Sequence, residues 1–473
     1  LHSELRIFIQ DGLDYRSLMK GAQLFKKYGG EETFDNWVLQ NLPALKDEPF
    51  CANYYDFAEK VQFQLAGYYT KSSDIHGTRE YVKLMNTWPK LVKDILSTNN
   101  YQGYLGKKGL AKKTLKNILN GAESEKEALD KIYQYLTNEF DWDGEYHLFR
   151  DQKLSDLLKV KKGNSAELNL FFVSLLKNAG LKAHPAIIST KGHGFVSKVY
   201  PLRSQFNHVV AAVKLNDKYE LVDVVDPSHP MSLLPVNDLN YDALLLESKP
   251  DTAYWLKIPK PKKSKKVLIV DIDYSQEDLI TGKAQLSANR YESVLQRTAY
   301  HKANDDNRFI REEMLEDERF EIEKVIAEHT NNVDQTFKLE CTFQASKEDL
   351  ENGDFIYIDP YLSKIDEHPF KAKERNTPID FYYPQTNLYL CNVIIPPGYE
   401  IEELPESKNL ALPNREVILK SSSKVLGNKI QILLDLSITT PLISKDEYGA
   451  IQEIFDHYFS KQDQQIVLKK KVE

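Results

Sequence analysis

The run from Leu168 to Leu176 constrains this chain more than any other segment. It reads Leu-Asn-Leu-Phe-Phe-Val-Ser-Leu-Leu, apolar at every turn of a helix except for Asn169 and Ser174. Ahead of it, Asn164-Ser165-Ala166-Glu167 is a helix start, with an N-cap residue and a Glu three positions on. Behind it, Gly180 suits the left-handed residue that ends a helix. A helix without a polar face has to be covered on nearly all sides. The run is far shorter than the roughly 18 apolar residues a bilayer span needs, so the cover must be protein.

The neighbouring sequence supplies that cover. Before the run, Trp88, Leu91 and Ile95, then Leu110, Leu115 and Ile118, recur at helical spacing. Ser124 with Glu127 opens another helix, which carries Ala128, Ile132, Tyr135 and Leu136 on one face and stops near Asp143-Gly144. After the run come three strand-like segments, Ala186–Ile188, His208–Val213 and Tyr219–Val224. Asn216-Asp217 between the last two reads as a hairpin turn. A buried helix on an antiparallel sheet is an α+β core, here spanning 88–256.

The flanks have a different rhythm. Residues 1–87 hold alternating segments such as Glu4–Ile9 and Val61–Leu65, the pattern of an incomplete N-terminal β-rich domain. Residues 257–266 are rich in Lys and Pro and read as a solvated linker. Beyond it, 267–473 alternates again at 267–272, 337–343, 355–358, 388–395, 416–419 and 430–438. Helical stretches are expected around Phe309–His329 and Tyr448–Tyr458, which gives a C-terminal β-sandwich-type domain with added helices.

Composition excludes several classes. Lys and Arg total 62 against 70 Asp and Glu, a net charge of −8, which argues against a nucleic-acid binder. No transmembrane segment is visible. Cys51, Cys341 and Cys391 lie far apart and form no C-x-x-C pair or zinc ribbon. The chain starts at Leu1 without a basic-then-apolar leader, as a mature form or a fragment would.

One set of residues suggests chemistry. Ser165 stands at the N-terminus of the buried helix, His208 opens a strand, and Asp223 lies on its hairpin neighbour. A helix N-terminus offers a nucleophile its macrodipole and free N–H groups, and an acid facing an imidazole fixes its tautomer. Each residue also has a purely structural reading: Ser165 as a helix-start residue, and His208 with Asp223 as a satisfied core pair.

Gly163-Asn164-Ser165, Phe206-Asn207-His208, and Leu221-Val222-Asp223 with Asp226-Pro227 resemble the transglutaminase-like core of the papain-like superfamily. The flanks resemble bacterial cell-envelope proteins in which that core sits between β-rich domains of unknown function. The carrying segments are Asn41 to Phe50, His368-Pro369-Phe370-Lys371, Pro378-Ile379-Asp380-Phe381, Pro396 to Glu400, and Gln465 to Lys471. Active members of that family place a Cys where this chain has Ser165, while His208 and Asp223 match the family's His and Asp. A thiol is readily ionised beside an imidazolium, and a hydroxyl is not.

The resemblance therefore implies a non-catalytic binding or scaffold protein with a vestigial Ser165-His208-Asp223 triad and no cofactor. It also implies a periplasmic or outer-membrane-associated location and a protein or peptide partner. The alternative is a serine-dependent acyl hydrolase or amidase in which Ser165 is the nucleophile, His208 the base and Asp223 its orienter. Side chains from the 191–205 loop blocking the cleft would count against that alternative. No metal is expected, because the spacings of His184, His193 and His229 match no ligand motif. Asp141 to Glu145 lacks the later ligands of a calcium loop and reads as a turn.

Overall fold

A computed structural model describes residues 2–20, 26–29, 34–40, 44–70, 79–85, 87–247, 252–347, 351–363 and 367–471. Asn41, Leu42 and Pro43, part of one family-like segment, lie outside the described residues. Internal contacts divide the chain into one unit of residues 1–227 and 234–260 and a second of 228–233 and 261–473.

The first unit opens with strands β1 (His2–Phe8), β2 (Leu13–Lys20), β3 (Lys26–Gly29), β4 (Phe34–Gln40), β5 (Lys60–Tyr69) and β6 (Tyr81–Lys83). They form two three-stranded sheets, ordered β1-β4-β3 and β2-β5-β6. Helices α1 (Trp88–Ser97), α2 (Asn99–Leu105), α3 (Lys108–Ile118) and α4 (Glu125–Glu139) follow, and Ser124 Oγ caps α4 by accepting from the Glu127 N–H. The chain then passes through β7 (Asp141–Trp142), α5 (Leu154–Val160) and β8 (Lys162–Gly163) to α6 (Ser165–Asn178).

α6 is the helix the sequence singled out. Every side chain from Ser165 to Leu176 is buried, and Asn164 with Glu167 forms a complete capping box. Gly180, at φ +95°, carries the chain out through the left-handed region. One side of α6 rests on the sheet strands β9 (Ala183–Ile188) and β10 (His208–Leu215), and α2, α3, α4 and α5 pack around the rest. That sheet also contains β11 (Lys218–Val222), β12 (Asp242–Leu245) and β13 (Tyr254–Lys257) in the order β11-β10-β9-β12-β13, all antiparallel. Asn216 and Asp217 both have positive φ, at 45° and 62°, as a tight hairpin between β10 and β11 requires. Strand β11 ends at Val222, so Asp223 sits just past it rather than on it.

The second unit is β-rich. Its largest sheet starts with β14 (Ser264–Asp273) and β15 (Leu279–Asn289), followed by helices α7 (Arg290–Ala303) and α8 (Asp306–Glu313). Strands β16 (Glu321–Glu328) and β17 (Phe337–Ser346), the short β18 (Glu351–Asn352), β19 (Phe355–Ile358) and β20 (Ile379–Asp380) come next. They lead to β21 (Gln385–Ile394), β22 (Tyr399–Glu403), β23 (Lys408–Ala411), β24 (Val417–Leu426), β25 (Lys429–Ile438), β26 (Leu442–Ile443), α9 (Tyr448–Lys461) and β27 (Ile466–Lys470). Eight strands pair as β16-β17-β15-β14-β21-β25-β24-β23, with only β14 and β21 parallel, and α7 packs on β14, β15 and β17. A separate sheet runs β18-β19-β27-β22.

Two local expectations are corrected here. The stretch Phe309–His329 is helical only at its start, because 321–328 is the edge strand β16. A bulge between Ile322 and Lys324 shifts its alternation, so Ile322 and Val325 fall three apart and imitate a helix. Helix α7 was hidden for the opposite reason: it buries Glu292, Ser293, Gln296 and Arg297, so its inward face is not apolar. The Lys-rich segment is irregular only over 258–263, since β14 already begins at Ser264 and Lys266 pairs with Glu313 at 2.7 Å. Among the described residues no helix is long and apolar enough to cross a membrane.

The N-terminus of α6 depends on one carboxylate. Glu167 is 1% exposed, and it accepts from the N–H groups of Asn164 (3.0 Å), Asp151 (2.8 Å) and Gln152 (2.7 Å) and from Gln152 Nε2 (3.0 Å). A Cβ on Gly163 would lie 2.7 Å from Glu167 Oε2 and 2.8 Å from Leu157 Cδ1, so only glycine fits in front of it. Glu167→Gln should lower stability by about 2–4 kcal/mol, because the new amide points a donor at donors. Gly163→Ala should act in the same direction. Urea unfolding midpoints of the two variants against the parent check both.

Candidate functional site

α6 presents Ser165 in its first turn, β10 presents His208 as its first residue, and Asp223 follows the end of β11. The structure joins two of the three. His208 Nε2 lies 3.0 Å from Asp223 Oδ2, with both side chains fully buried. Asp223 Oδ1 accepts from Asn169 Nδ2 at 2.6 Å and from the Val225 N–H at 3.2 Å. Burial pushes the Asp223 carboxyl up, but the charge and hydrogen bond of His208, helped by Asn169, outweigh it. Its pKa therefore falls below the ordinary value.

Ser165 is bonded elsewhere. Its Oγ accepts from the His147 N–H at 2.9 Å and reaches the His147 carbonyl at 3.4 Å. Its backbone N–H donates to the Glu145 carbonyl at 3.1 Å. That N–H is one of the helix-terminus donors that would have to be free for an oxyanion hole. Two positions on, the Glu167 N–H is also taken, by Asn164 Oδ1 at 3.0 Å. No hydrogen bond links Ser165 to His208 among the described residues, and His208 Nδ1 is buried without a partner there.

The segment responsible is 143–152, and sequence reasoning did not anticipate it. Tyr146 lays its ring edge against the His208 imidazole at 4.8 Å between centroids, and Trp142 packs on Tyr146 at the same distance. Asn164 Nδ2 donates to the Phe149 carbonyl and to Asp151 Oδ2, each at 3.1 Å, and Glu167 takes the N–H groups of Asp151 and Gln152. The 191–205 loop, whose side chains would have counted against catalysis by blocking the cleft, sets Arg203 over the Phe149 ring at 5.1 Å and is otherwise anchored by other partners. Asn240 Nδ2 gathers the carbonyls of Ser189 and Gly194, and the Phe195 N–H donates to Asp56.

Sequence reasoning also missed Asp238. It belongs to a short turn at Val236–Asp238, is 0% exposed, and has Oδ1 3.6 Å from His208 Nε2. Burial first, and then the adjacent charge of Asp223, hold its pKa well above the usual carboxylate range. Its surroundings, Val236-Asn237-Asp238-Leu239-Asn240, look like exposed turn chemistry, so nothing local signalled a buried acid. Burial, followed by the charge of Asp238, also raises the Tyr146 phenol.

The other histidines do not converge. His184 stands against Tyr219, His193 Nε2 lies 3.0 Å from the Ser204 carbonyl, and His229 meets Tyr291 in the second unit. Cys341 and Cys391 are buried and form no disulfide among the described residues.

Residues 112–224 match the model of the transglutaminase-like superfamily, and residues 354–468 match DUF3858, a domain of unknown function with a solved structure. A crystal structure of "a putative protease" from Parabacteroides distasonis is similar over 99% of this chain and 72% of its own, at 9% identity and a TM-score of 0.52. At that identity the likeness concerns the fold. An M1 zinc metallopeptidase from Deinococcus radiodurans matches 43% of this chain and 41% of its own at 8% identity, with a TM-score of 0.16 that carries no argument. No curated protein matches in sequence. The chain thus carries a transglutaminase-like domain within a mixed α and β fold whose flanks are β-rich.

If the Ser165 hydroxyl is a structural bridge, Ser165→Ala leaves the His147 N–H unpaired in a buried place. The expected loss is about 1–3 kcal/mol, seen as a lower urea midpoint with near-native circular dichroism.

Proposed function

We propose that this chain is a non-catalytic member of the transglutaminase-like group, acting as a binding or scaffold protein of the bacterial cell envelope. One observation carries the proposal. Both polar groups of Ser165 that acyl transfer needs, its hydroxyl and its backbone N–H, are bonded to the main chain at His147 and Glu145. Ser165 and His208 are each 0% exposed, so a carbonyl substrate has no approach to either. The envelope location and a protein or peptide partner belong to the same proposal, supported by the resemblance of the flanking segments. Edge strands of the β-rich regions, such as β16 and β23, are the natural places for a partner to add a strand.

A serine hydrolase would need Ser165 Oγ on the imidazole and a free donor for the oxyanion. The bonds just described occupy the Ser165 hydroxyl and the Ser165 N–H, so neither is available for those roles.

The test is covalent labelling of the purified chain. A serine-directed fluorophosphonate should label the parent no more than Ser165→Ala, and labelling that disappears in both Ser165→Ala and His208→Ala would sink the proposal. Restoring the family's nucleophile provides a second arm. The thiol of Ser165→Cys should react as slowly as that of Cys341, which burial pushes up to about 11. A fast-reacting thiol at 165 would show an accessible, activated site instead.

A further inference from the structure

Three buried groups beside α6 have a charge problem that their hydrogen bonds do not solve. His208, Asp223 and Asp238 each offer one ligand-type atom, and these atoms lie within 4.8 Å of one another. His208 and Asp238 are 0% exposed and Asp223 is 5% exposed. An imidazole brings at most one positive charge to two buried carboxyls, and without a cation the second keeps its proton against the first. His208 Nε2 is engaged with Asp223 at 3.0 Å, and among the described residues Asp238 receives no hydrogen bond from any group but the Asp223 carboxyl beside it. Asn169, itself 0% exposed, is bonded to Asp223 through Nδ2, and its Oδ1 also lacks a donor there. A cation among His208, Asp223 and Asp238 would take the place of that proton and let both carboxyls ionise.

We propose that His208 Nε2, one oxygen of Asp223 and one oxygen of Asp238 form a structural site for a divalent transition-metal ion, zinc(II) being the best match. Ligands about 2.0–2.2 Å from a tetrahedral zinc stand about 3.3–3.6 Å apart. Here Asp238 Oδ1 stands 3.6 Å from His208 Nε2, within that range, and Asp223 Oδ2 stands 3.0 Å away, so an ion would open the His208–Asp223 hydrogen bond by a few tenths of an ångström. Two carboxylates neutralise the charge of the ion, and the imidazole favours zinc over calcium or magnesium, which take oxygen ligands. Asn169 Nδ2 and the Val225 N–H fix the Asp223 carboxylate from behind, and Tyr146 braces the imidazole. The inference rests on the proposed non-catalytic reading, since an imidazole bound through Nε2 to a metal is no base for Ser165.

The chain, stripped with chelator and dialysed, is titrated with zinc chloride by calorimetry, and bound metal is counted by elemental analysis. One equivalent is expected, with a higher melting temperature. Asp238→Asn, a near-isosteric change, and His208→Gln should each weaken binding by about 100-fold or more. Circular dichroism checks that the variants fold. Cobalt(II) supplies a readout independent of stability: a visible ligand-field band present in the parent and lost in Asp238→Asn.

A parent chain that takes up no zinc overturns the inference, and the buried pair is then neutralised by a shared proton. Zinc bound equally by the parent and Asp238→Asn overturns it too, because the ion then sits on other histidines. No zinc together with no fluorophosphonate labelling removes the cation site alone. Labelling at Ser165 removes both proposals.

Discussion

The Glu167 carboxylate is the point on which the candidate site depends. It is a buried anion at the positive end of a helix, and it accepts from four N–H groups, one from the cap of α6 and three from residues 151 and 152. Its bonds therefore fix where the 143–152 segment runs. With Asp151 and Gln152 tied down there and Trp142 held at the other end by β8, residues 145–147 have little choice but to cross the first turn of α6. The bonds from Glu145 and His147 to Ser165 follow from that path.

The same end of α6 has the physical features that enzymes use on an oxyanion: free N–H groups and a macrodipole. Here they are spent internally. Asn164 Oδ1 takes the Glu167 N–H, and the Glu145 carbonyl takes the Ser165 N–H. A hydroxyl suits this arrangement better than a thiol would. It accepts the His147 N–H at 2.9 Å, a geometry that sulfur, larger and a weaker acceptor, does not reproduce. The serine at this position and the segment that covers it form one local solution, in which the residue bridges two backbone groups.

Much of this was legible in the sequence, and the exceptions share a cause. The all-round apolar run predicted a buried helix, Asn164 with Glu167 predicted its cap, and Asn216-Asp217 predicted the hairpin that brings Asp223 towards His208. Each of these is local chemistry with a fixed period or spacing. Asp238 and the 143–152 cover are products of long-range packing, and their residue types match ordinary exposed turns. In the second unit, α7 and β16 escaped because buried polar residues and a bulge overwrote the period that should have marked them. The hairpin placement pointed to the pairing of His208 with Asp223 and the family resemblance agreed with it, but neither said what Ser165 would bond.

An apolar helix surrounded by apolar neighbours carries little information about its own rotation. Leu, Phe and Val side chains of similar size exchange places at modest cost, whereas a buried polar group left unpaired costs about 1–3 kcal/mol. α6 has four buried polar side chains, Ser165, Glu167, Asn169 and Ser174, and each meets a different partner. Ser165 meets His147, Glu167 meets Asp151 and Gln152, and Asn169 meets Asp223. Ser174 Oγ donates to the Tyr104 carbonyl of α2 at 3.0 Å, and Asn178 Nδ2 turns back to the Ser174 carbonyl. A rotation of α6 by one residue would break the first four at once while leaving its apolar burial almost unchanged. The polar residues thus select the single orientation in which Asn169 reaches Asp223, and that contact helps fix the Asp223 carboxylate facing His208.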